Sequence, residues 1–188
     1  MNRTRESSAR PASPELVIIT GLSGSGKGTV LKCLEDLGYY SVDNLPIDLI
    51  PKFAELTKAS PGISQAALVV DIREGEGLQR FPEIYERIRR KIRTTLLFLE
   101  ADDETLMRRY SETRRPHPLG TERSVARSIK AERQALAPIR ALADHIVSTS
   151  KFNVHELRDI IAEKFRGERE QSKLLVYVTS FGYRYGVP

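Results

Sequence analysis

The sequence predicts an α/β fold of three layers, in which a five-stranded, mostly parallel sheet carries helices on both faces. Short apolar and β-branched runs, typical of buried parallel strands, alternate five times with stretches of helical periodicity. A strand, a helix and the next parallel strand are joined by a right-handed crossover, which lays helices against the sheet. The predicted strands span residues 16–20, 39–42, 66–72, 94–99 and 145–148.

The predicted helices follow from glycine, proline and apolar spacing. A helix over 27–37 ends at Gly38, a natural C-terminal stop, and Pro46 suits the start of the next one, which runs to Ala59. Further helices are predicted over 83–93, over 121–142 with an interruption near Pro138, and over 154–165. The packing faces of the second, third and fourth helices are predicted to be Leu49, Ile50, Phe53 and Leu56; Ile84, Ile88 and Ile92; and Val125, Ile129, Leu136 and Ile139.

A glycine-rich loop follows the first strand and reads GLSGSGKGT. Glycines let the backbone take positive φ and approach a ligand, so that successive N–H groups can point at phosphate oxygens. Lys27 supplies a mobile positive charge for the β- and γ-phosphates, and the helix that begins there favours an anion at its N-terminus. The predicted phosphate-binding residues are Gly21, Leu22, Ser23, Gly24, Ser25, Gly26, Lys27, Gly28 and Thr29.

The loop departs from the Walker A pattern at one position. Gly28 stands where that pattern has a serine or threonine whose hydroxyl binds Mg2+, and Thr29 comes one residue later. The sequence GKGT resembles the form found in adenylate kinases, in which the metal is held largely through water. The alternative is a glycine-rich turn that only joins a strand to a helix. The order of strand, glycines, lysine and helix favours the phosphate loop.

Two aspartates are predicted at the carboxyl ends of strands, where doubly wound sheets bind ligands. Asp71 ends the third strand and is predicted to act near Mg2+ through water, as a Walker B carboxylate does. Asp43 ends the second strand and is a candidate for orienting an acceptor hydroxyl. The alternative for both is a helix cap or turn. Glu100, Asp102 and Asp103 begin the turn into a helix and are interpreted as structural.

An arginine-rich segment precedes the fourth predicted helix. Guanidinium forks match phosphate geometry, so the run from Leu106 to Pro118 is a candidate lid over the phosphates. The alternative is an exposed basic loop without a ligand. The residues that carry this hypothesis are Arg108, Arg109, Arg114, Arg115 and His117.

Composition bounds the class of protein. With 188 residues and a net charge of +5, the chain suits one α/β domain and anionic ligands, RNA included. Its one cysteine, Cys33, excludes an intrachain disulfide, favours a reducing compartment and is expected to pack. No run approaches a membrane span, so we expect a cytoplasmic protein. We expect a disordered tail over 1–15, a nucleotide-binding domain over 16–166, and a linker with a new strand over 167–188, which either docks on the sheet edge or opens a second domain.

The motifs together resemble the RapZ/YvcJ family of nucleotide-binding proteins. The resemblance rests on GLSGSGKGT, LGYYSVDNLP, VVDIR, LFLEADDETLMRRYSETRRPHPL and VTSFGYRYGVP, which cover nearly all of the chain after Glu15. It implies a P-loop domain that binds ATP and GTP and hydrolyses them slowly, followed by a C-terminal domain that is truncated here. On this basis residues 21–28 would hold ATP, and the segment assigned to GTP would be Asp71, Ile72, Arg73 and Glu74. Some members bind small regulatory RNAs and bring them to an RNase.

Three functions remain open at this stage. The first is a regulatory nucleotide-binding protein in which Lys27 and the loop amides stabilise phosphate charge, Asp71 holds Mg2+ through water, and Arg114 or Arg115 closes over the γ-phosphate. The second is a small-molecule or nucleoside monophosphate kinase that uses Asp43. The third is an RNA-binding adapter that uses the basic surface over 87–93. A homo-oligomer is left open.

Overall fold

Five parallel strands form one sheet at the centre of the molecule. The computed structural model describes residues 15–60, 62–113, 117–119 and 124–165. The strands are β1 (Glu15–Gly21), β2 (Tyr40–Val42), β3 (Gln65–Val69), β4 (Arg93–Glu100) and β5 (His145–Ser148), in the spatial order β2-β3-β1-β4-β5. Every paired strand is parallel. The helices are α1 (Lys27–Asp36), α2 (Ile50–Ala59), α3 (Phe81–Arg89), α4 (Asp103–Thr113), α5 (Val125–Ala141) and α6 (Val154–Phe165), with 3-10 segments at Ile47–Leu49 and Ile72–Arg80.

The strands bury apolar side chains on both faces, which gives the three layers that the sequence predicts. Leu16 and Ile18 of β1 point into a core formed with α2, α3 and α5. Val17 and Ile19, which alternate with them, point into a second core formed with α1 and α6. The predicted three-layer fold with helices on both faces is therefore confirmed.

The central position of β1 places the loop that follows it. Strand β1 pairs with β3 on one side and with β4 on the other. The carboxyl ends of all five strands lie at one edge of the sheet, where α/β proteins bind their ligands. The connections after β1, β3, β4 and β5 therefore meet around the glycine-rich loop.

The predicted packing face of α2 is partly wrong. Leu49 and Leu56 are 52% and 51% exposed, whereas Ile50 and Ala54 are buried. Leu49 lies in the 3-10 segment before α2, which changes its direction relative to the helix. Phe53 is half-buried and its ring centroid lies 6.2 Å from that of Tyr40. Two adjacent apolar stripes of similar strength run along this helix, so periodicity alone could not choose between them.

Two other predicted boundaries are corrected. Helix α5 continues from Val125 to Ala141 without the predicted interruption, with Pro138 inside its last turns. Proline removes one backbone hydrogen bond there, while the buried side chains of Leu136 and Ile139 hold the helix against the core. Strand β3 ends at Val69 rather than at residue 72, because the chain turns into a 3-10 segment. Among the described helices, none combines the length and the apolar character needed to cross a bilayer.

Candidate phosphate-binding site

The loop begins with a glycine that packing makes obligatory. Gly21 ends β1 with a φ of 132°, and a Cβ added there would lie 2.0 Å from the carbonyl oxygen of Leu99 in β4. The next residue, Leu22, donates its N–H to that same oxygen at 3.0 Å. The first turn of the loop is thus fixed directly on the neighbouring strand.

The loop then leads into α1 with free backbone donors. Gly24 and Gly26 have φ values of 83° and 100°, in the left-handed region that favours glycine. Gly26 is the N-cap of α1, and no side chain caps this helix. The N–H groups of the first helical turn have no acceptor within their own helix. Oγ of Ser25 is also buried, without a hydrogen-bond partner among the described residues. These donors and the helix dipole suit an anion.

Lys27 lies in the middle of this loop and uses all three ammonium protons. Its side chain is only 9% exposed. Nζ donates to the carbonyl oxygens of Gly21 at 2.8 Å and Leu22 at 3.2 Å, and it lies 3.2 Å from Oδ2 of Asp71. An anion that binds the ammonium group must therefore compete with two carbonyl groups and one carboxylate.

Asp71 has the capping role that was one of its two predicted alternatives, and its predicted role near Mg2+ stays a prediction. It caps the 3-10 segment, because Oδ1 accepts the N–H of Arg73 at 3.2 Å, while Oδ2 faces Lys27. The residues after it diverge: the Ile72 side chain is buried in the core, and that of Arg73 is 66% exposed. Glu74 lies in the same 3-10 segment, and its side chain is outside the described set.

An arginine and a threonine from other elements donate hydrogen bonds to carbonyl groups of the loop. Arg109 in α4 donates to the Gly24 carbonyl at 3.0 Å, and to Oγ1 and the carbonyl of Thr149 at 3.0 and 2.9 Å. Thr149, just after β5, is fully buried and its hydroxyl donates to the Ser25 carbonyl at 3.0 Å. Burial, and then the nearby Arg108, lower the pKa of Arg109. Arg109 therefore binds carbonyl groups of the loop and of Thr149 in this structure, and its predicted place in a lid stays a prediction.

A buried carboxylate holds the loop from α5. Glu132 is fully buried and accepts hydrogen bonds from both the N–H and the hydroxyl of Ser23. His117, the last of the candidate residues in the predicted lid run, is buried against Glu132 at 3.0 Å. Sequence reasoning missed Glu132, although an acidic residue between Ile129 and Leu136 on a core face was a usable signal. Thr149 carried no such signal.

The other candidates lie apart from the lysine. Asp43 is exposed at the end of β2, and β3 lies between that strand and β1, a separation of roughly 10 Å across the sheet. Arg108 is exposed on α4. Arg114 and Arg115, which also belong to the lid hypothesis, are outside the described residues, as are 1–14 and 166–188. Glu15, assigned to the tail, belongs to β1.

The site fits a magnesium ion carried by a nucleotide better than a metal held by protein alone. Within the described residues, no group of three His, Cys, Asp or Glu side chains could hold a metal. Gly28 is exposed and offers no hydroxyl, and a Cβ added there would meet no atom within 4 Å. Mg2+ commonly keeps several waters and binds one or two carboxylates plus substrate phosphates. Asp71 suits that arrangement.

The fold and the loop together define a P-loop protein: a parallel α/β sheet whose central strand runs into a glycine-rich turn, a lysine and a helix. The family comparison makes this class specific, because the model of the RapZ-like N-terminal domain matches residues 14–169. The chain belongs to that family.

The curated relatives are longer than this chain. A protein of Solibacter usitatus named as a nucleotide-binding protein is 64% identical over 196 residues, covering 98% of this chain and 61% of the relative. A protein of Koribacter versatilis with the same description is 56% identical over 198 residues, covering 100% of this chain and 64% of the relative. The chain thus spans about three fifths of the length of these relatives.

Solved structures show the same fold at low identity. Shikimate kinase from Acinetobacter baumannii, solved in complex with shikimate, matches with a TM-score of 0.55 and 16% identity, covering 86% of this chain and 97% of the enzyme. Shikimate kinase from Bacteroides thetaiotaomicron matches with a TM-score of 0.54 and 17% identity, covering 81% of this chain and 98% of the enzyme. At such identity the similarity establishes the fold alone.

Proposed function

We propose that the chain binds a nucleoside triphosphate in the loop over 21–29 and hydrolyses it slowly. The observation that carries this proposal is the position of Lys27, whose ammonium group is held inside the glycine-rich loop by the carbonyls of Gly21 and Leu22 and lies beside Asp71. The relatives from Solibacter usitatus and Koribacter versatilis are named nucleotide-binding proteins, which supports the same ligand class. ATP and GTP are the proposed ligands.

In the proposed reaction, water attacks the γ-phosphate and the protein stabilises charge. Lys27 and the N–H groups of the first turn of α1 would bind the β- and γ-phosphate oxygens. When bound, Mg2+ would neutralise charge on those oxygens, and Asp71 would hold it through water. Arg114 or Arg115 is proposed to bring a positively charged guanidinium group into contact with the γ-phosphate.

Two features support a slow rate. Gly28 supplies no hydroxyl for the metal, so one of the usual ligands of a P-loop magnesium ion is missing from the chain. Asp71 already forms an ion pair with Lys27 and caps the 3-10 segment, so it must change partners to serve a metal. Both features lower transition-state stabilisation relative to simple binding.

The segment over 71–74 is the proposed GTP contact, and the structure limits how it could act. The side chain of Ile72 is committed to the core, so only its backbone could reach a nucleotide. The exposed guanidinium of Arg73 is the better candidate for a contact with phosphate or base. Arg73 is therefore the residue of this segment that is proposed to contact GTP.

An RNase-adapter role, with a small regulatory RNA and an RNase as partners, is proposed for the longer relatives rather than for this chain alone. The basic end of α3 gives weaker support for RNA here, because Arg89 pairs with Glu86 and Lys91 pairs with Glu55. Basic residues also suit the last turn of a helix without any partner. Small-molecule kinase activity is less supported, since its acceptor candidate Asp43 is separated from the loop by a strand.

Labelled ATP and GTP, incubated with the purified chain with and without a panel of acceptors and RNA, test the proposal. We expect saturable binding and slow release of phosphate to water. Transfer to an acceptor at a rate far above hydrolysis would replace this proposal with a kinase. Absence of binding to either nucleotide at millimolar concentration would reject it.

A further inference from the structure

Glu132 is a carboxylate that lies entirely inside the protein behind the loop. Its side chain is fully buried, and its hydrogen-bond partners among the described residues are Ser23 and His117. Ser23 donates its N–H to Oε1 at 3.0 Å and Oε2 at 3.1 Å, and its hydroxyl to Oε1 at 2.7 Å. His117 completes the set through Nε2, 3.0 Å from Oε2. A buried carboxylate is tolerated only with such partners, so this arrangement tightly constrains the loop.

The backbone around His117 fixes which of its nitrogens carries the proton. Nδ1 accepts the N–H of Leu119 at 3.1 Å, so that nitrogen has its lone pair free. The proton is therefore on Nε2, which donates to Glu132. Within the part of the chain that the structure describes, every partner of Glu132 then donates to it, which suits a carboxylate.

We propose that Glu132 is a positioning residue of the nucleotide site, an inference that rests on the function proposed above. It keeps the Ser23 N–H and hydroxyl turned into the core, away from a bound phosphate. By fixing Ser23 it holds the turn that follows, so that the N–H groups of the first turn of α1 are arranged before a nucleotide arrives. Arrangement of the loop in advance raises affinity, because less conformational entropy is lost on binding.

Glutamine at position 132 separates this role from simple filling of space. The amide has nearly the same shape, but one of its two ends donates. An NH2 group at the Oε2 position would face the Nε2–H of His117, and one at the Oε1 position would face the Ser23 N–H and force the Ser23 hydroxyl to turn from donor to acceptor. The imidazole cannot change tautomer without losing the bond from Leu119. Removal of His117 relieves this conflict.

The test compares ATP dissociation constants, well below the unfolding temperature, for the parent chain, Glu132→Gln and the double variant Glu132→Gln with His117→Ala. A matched control is Asp144→Asn, since Asp144 accepts from the Tyr85 hydroxyl at 2.6 Å and from the Leu96 N–H at 2.8 Å before β5, at the opposite end of that strand from Thr149. We expect about tenfold weaker binding for Glu132→Gln. The double variant should recover part of the loss. Asp144→Asn, whose amide oxygen can still accept both bonds, should bind as the parent does.

Each result decides the inference. Parent-like binding by Glu132→Gln overturns it, as does an equal loss of affinity in Asp144→Asn. If Glu132→Gln does not fold, Ser23→Ala is used: it keeps the N–H and removes the hydroxyl, which also hydrogen-bonds Tyr110, and we expect about threefold weaker binding. Unchanged binding by Ser23→Ala then overturns the inference. A parent chain that binds no ATP rejects the proposed function instead.

Discussion

Nζ of Lys27 lies 3.2 Å from Oδ2 of Asp71, so the two charges neutralise each other. Lys27 is proposed to bind phosphate, and Asp71 is proposed to hold Mg2+ through water. With the carbonyls of Gly21 and Leu22, this carboxylate accounts for all three ammonium protons. A triphosphate would have to take over at least part of this set. If Lys27 binds the nucleotide as proposed, the affinity would be the difference in free energy between two arrangements in which its ammonium protons are all bonded.

Asp71→Asn should separate binding from turnover. The substitution removes the negative charge that competes for Lys27, so ATP affinity without Mg2+ should stay the same or become tighter. Turnover with Mg2+ should fall by about tenfold or more, because a carboxylate that serves the metal is lost. Titration calorimetry and phosphate release measure the two quantities. Undiminished turnover would remove Asp71 from the mechanism.

Gly21→Ala should prevent the loop from forming. The new methyl group would lie 2.0 Å from the Leu99 carbonyl, at a φ of 132° that side chains rarely adopt. We expect a loss of more than about 3 kcal/mol in the free energy of unfolding, read from urea denaturation. Gly28→Ala is the matched control, because its Cβ meets no atom within 4 Å. Equal stability of the two variants would contradict the loop geometry.

Thr149→Val should remove hydrogen bonds that hold the loop. Valine keeps the shape of threonine but loses the hydroxyl that donates to Ser25 and accepts from Arg109. Since the site is buried, we expect about 1–3 kcal/mol lower stability, together with weaker ATP binding. Thr113→Val removes a hydroxyl bond at an exposed position of α4 and should change stability by less than about 0.5 kcal/mol. Chemical denaturation of both variants measures the difference, and equal losses would show that Thr149 has no special role.

Because of Asp102, the stability of the N-terminal end of α4 should depend on pH. Its Oδ1 accepts the N–H of Thr105 at 2.7 Å, and this bond, followed by one with Ser150, lowers the pKa of Asp102 from 3.8 to about 2. A pKa that is lower in the folded state stabilises above the unfolded value and is lost as pH falls through the folded one. Melting curves of the parent and Asp102→Ala should therefore differ at neutral pH and converge between pH 3.8 and 2. A constant gap across that range would contradict the assignment.

The sheet and the phosphate loop could be predicted from sequence because their signals are local. Apolar runs mark the strands, and the spacing of Gly21, Gly26 and Lys27 marks the loop. The orientation of α2 could not be predicted in the same way. Its exposed Leu56 and buried Ile50 belong to neighbouring stripes, and only the preceding 3-10 segment and the stack on Tyr40 distinguish them.

The supports of the loop were harder to predict because their partners are backbone atoms or distant residues. Arg109 binds two carbonyl groups, and in the sequence such an arginine cannot be distinguished from one that binds a phosphate. Glu132 and Ser23 are 109 residues apart, and nothing in their local sequence connects them. The sequence predicts that Asp71 lies after the third strand. It does not predict that one carboxylate oxygen caps the 3-10 segment while the other faces Lys27.

Calorimetric titration of ATP into the parent chain and into Lys27→Ala tests the central claim most directly, with Lys32→Ala as a control because Lys32 is exposed on the same helix. The parent and Lys32→Ala should bind alike. Lys27→Ala should bind at least about 100-fold more weakly or not at all, since it loses a charge-assisted contact with the phosphates. Binding by Lys27→Ala as tight as that of the parent would contradict the placement of the nucleotide in this loop.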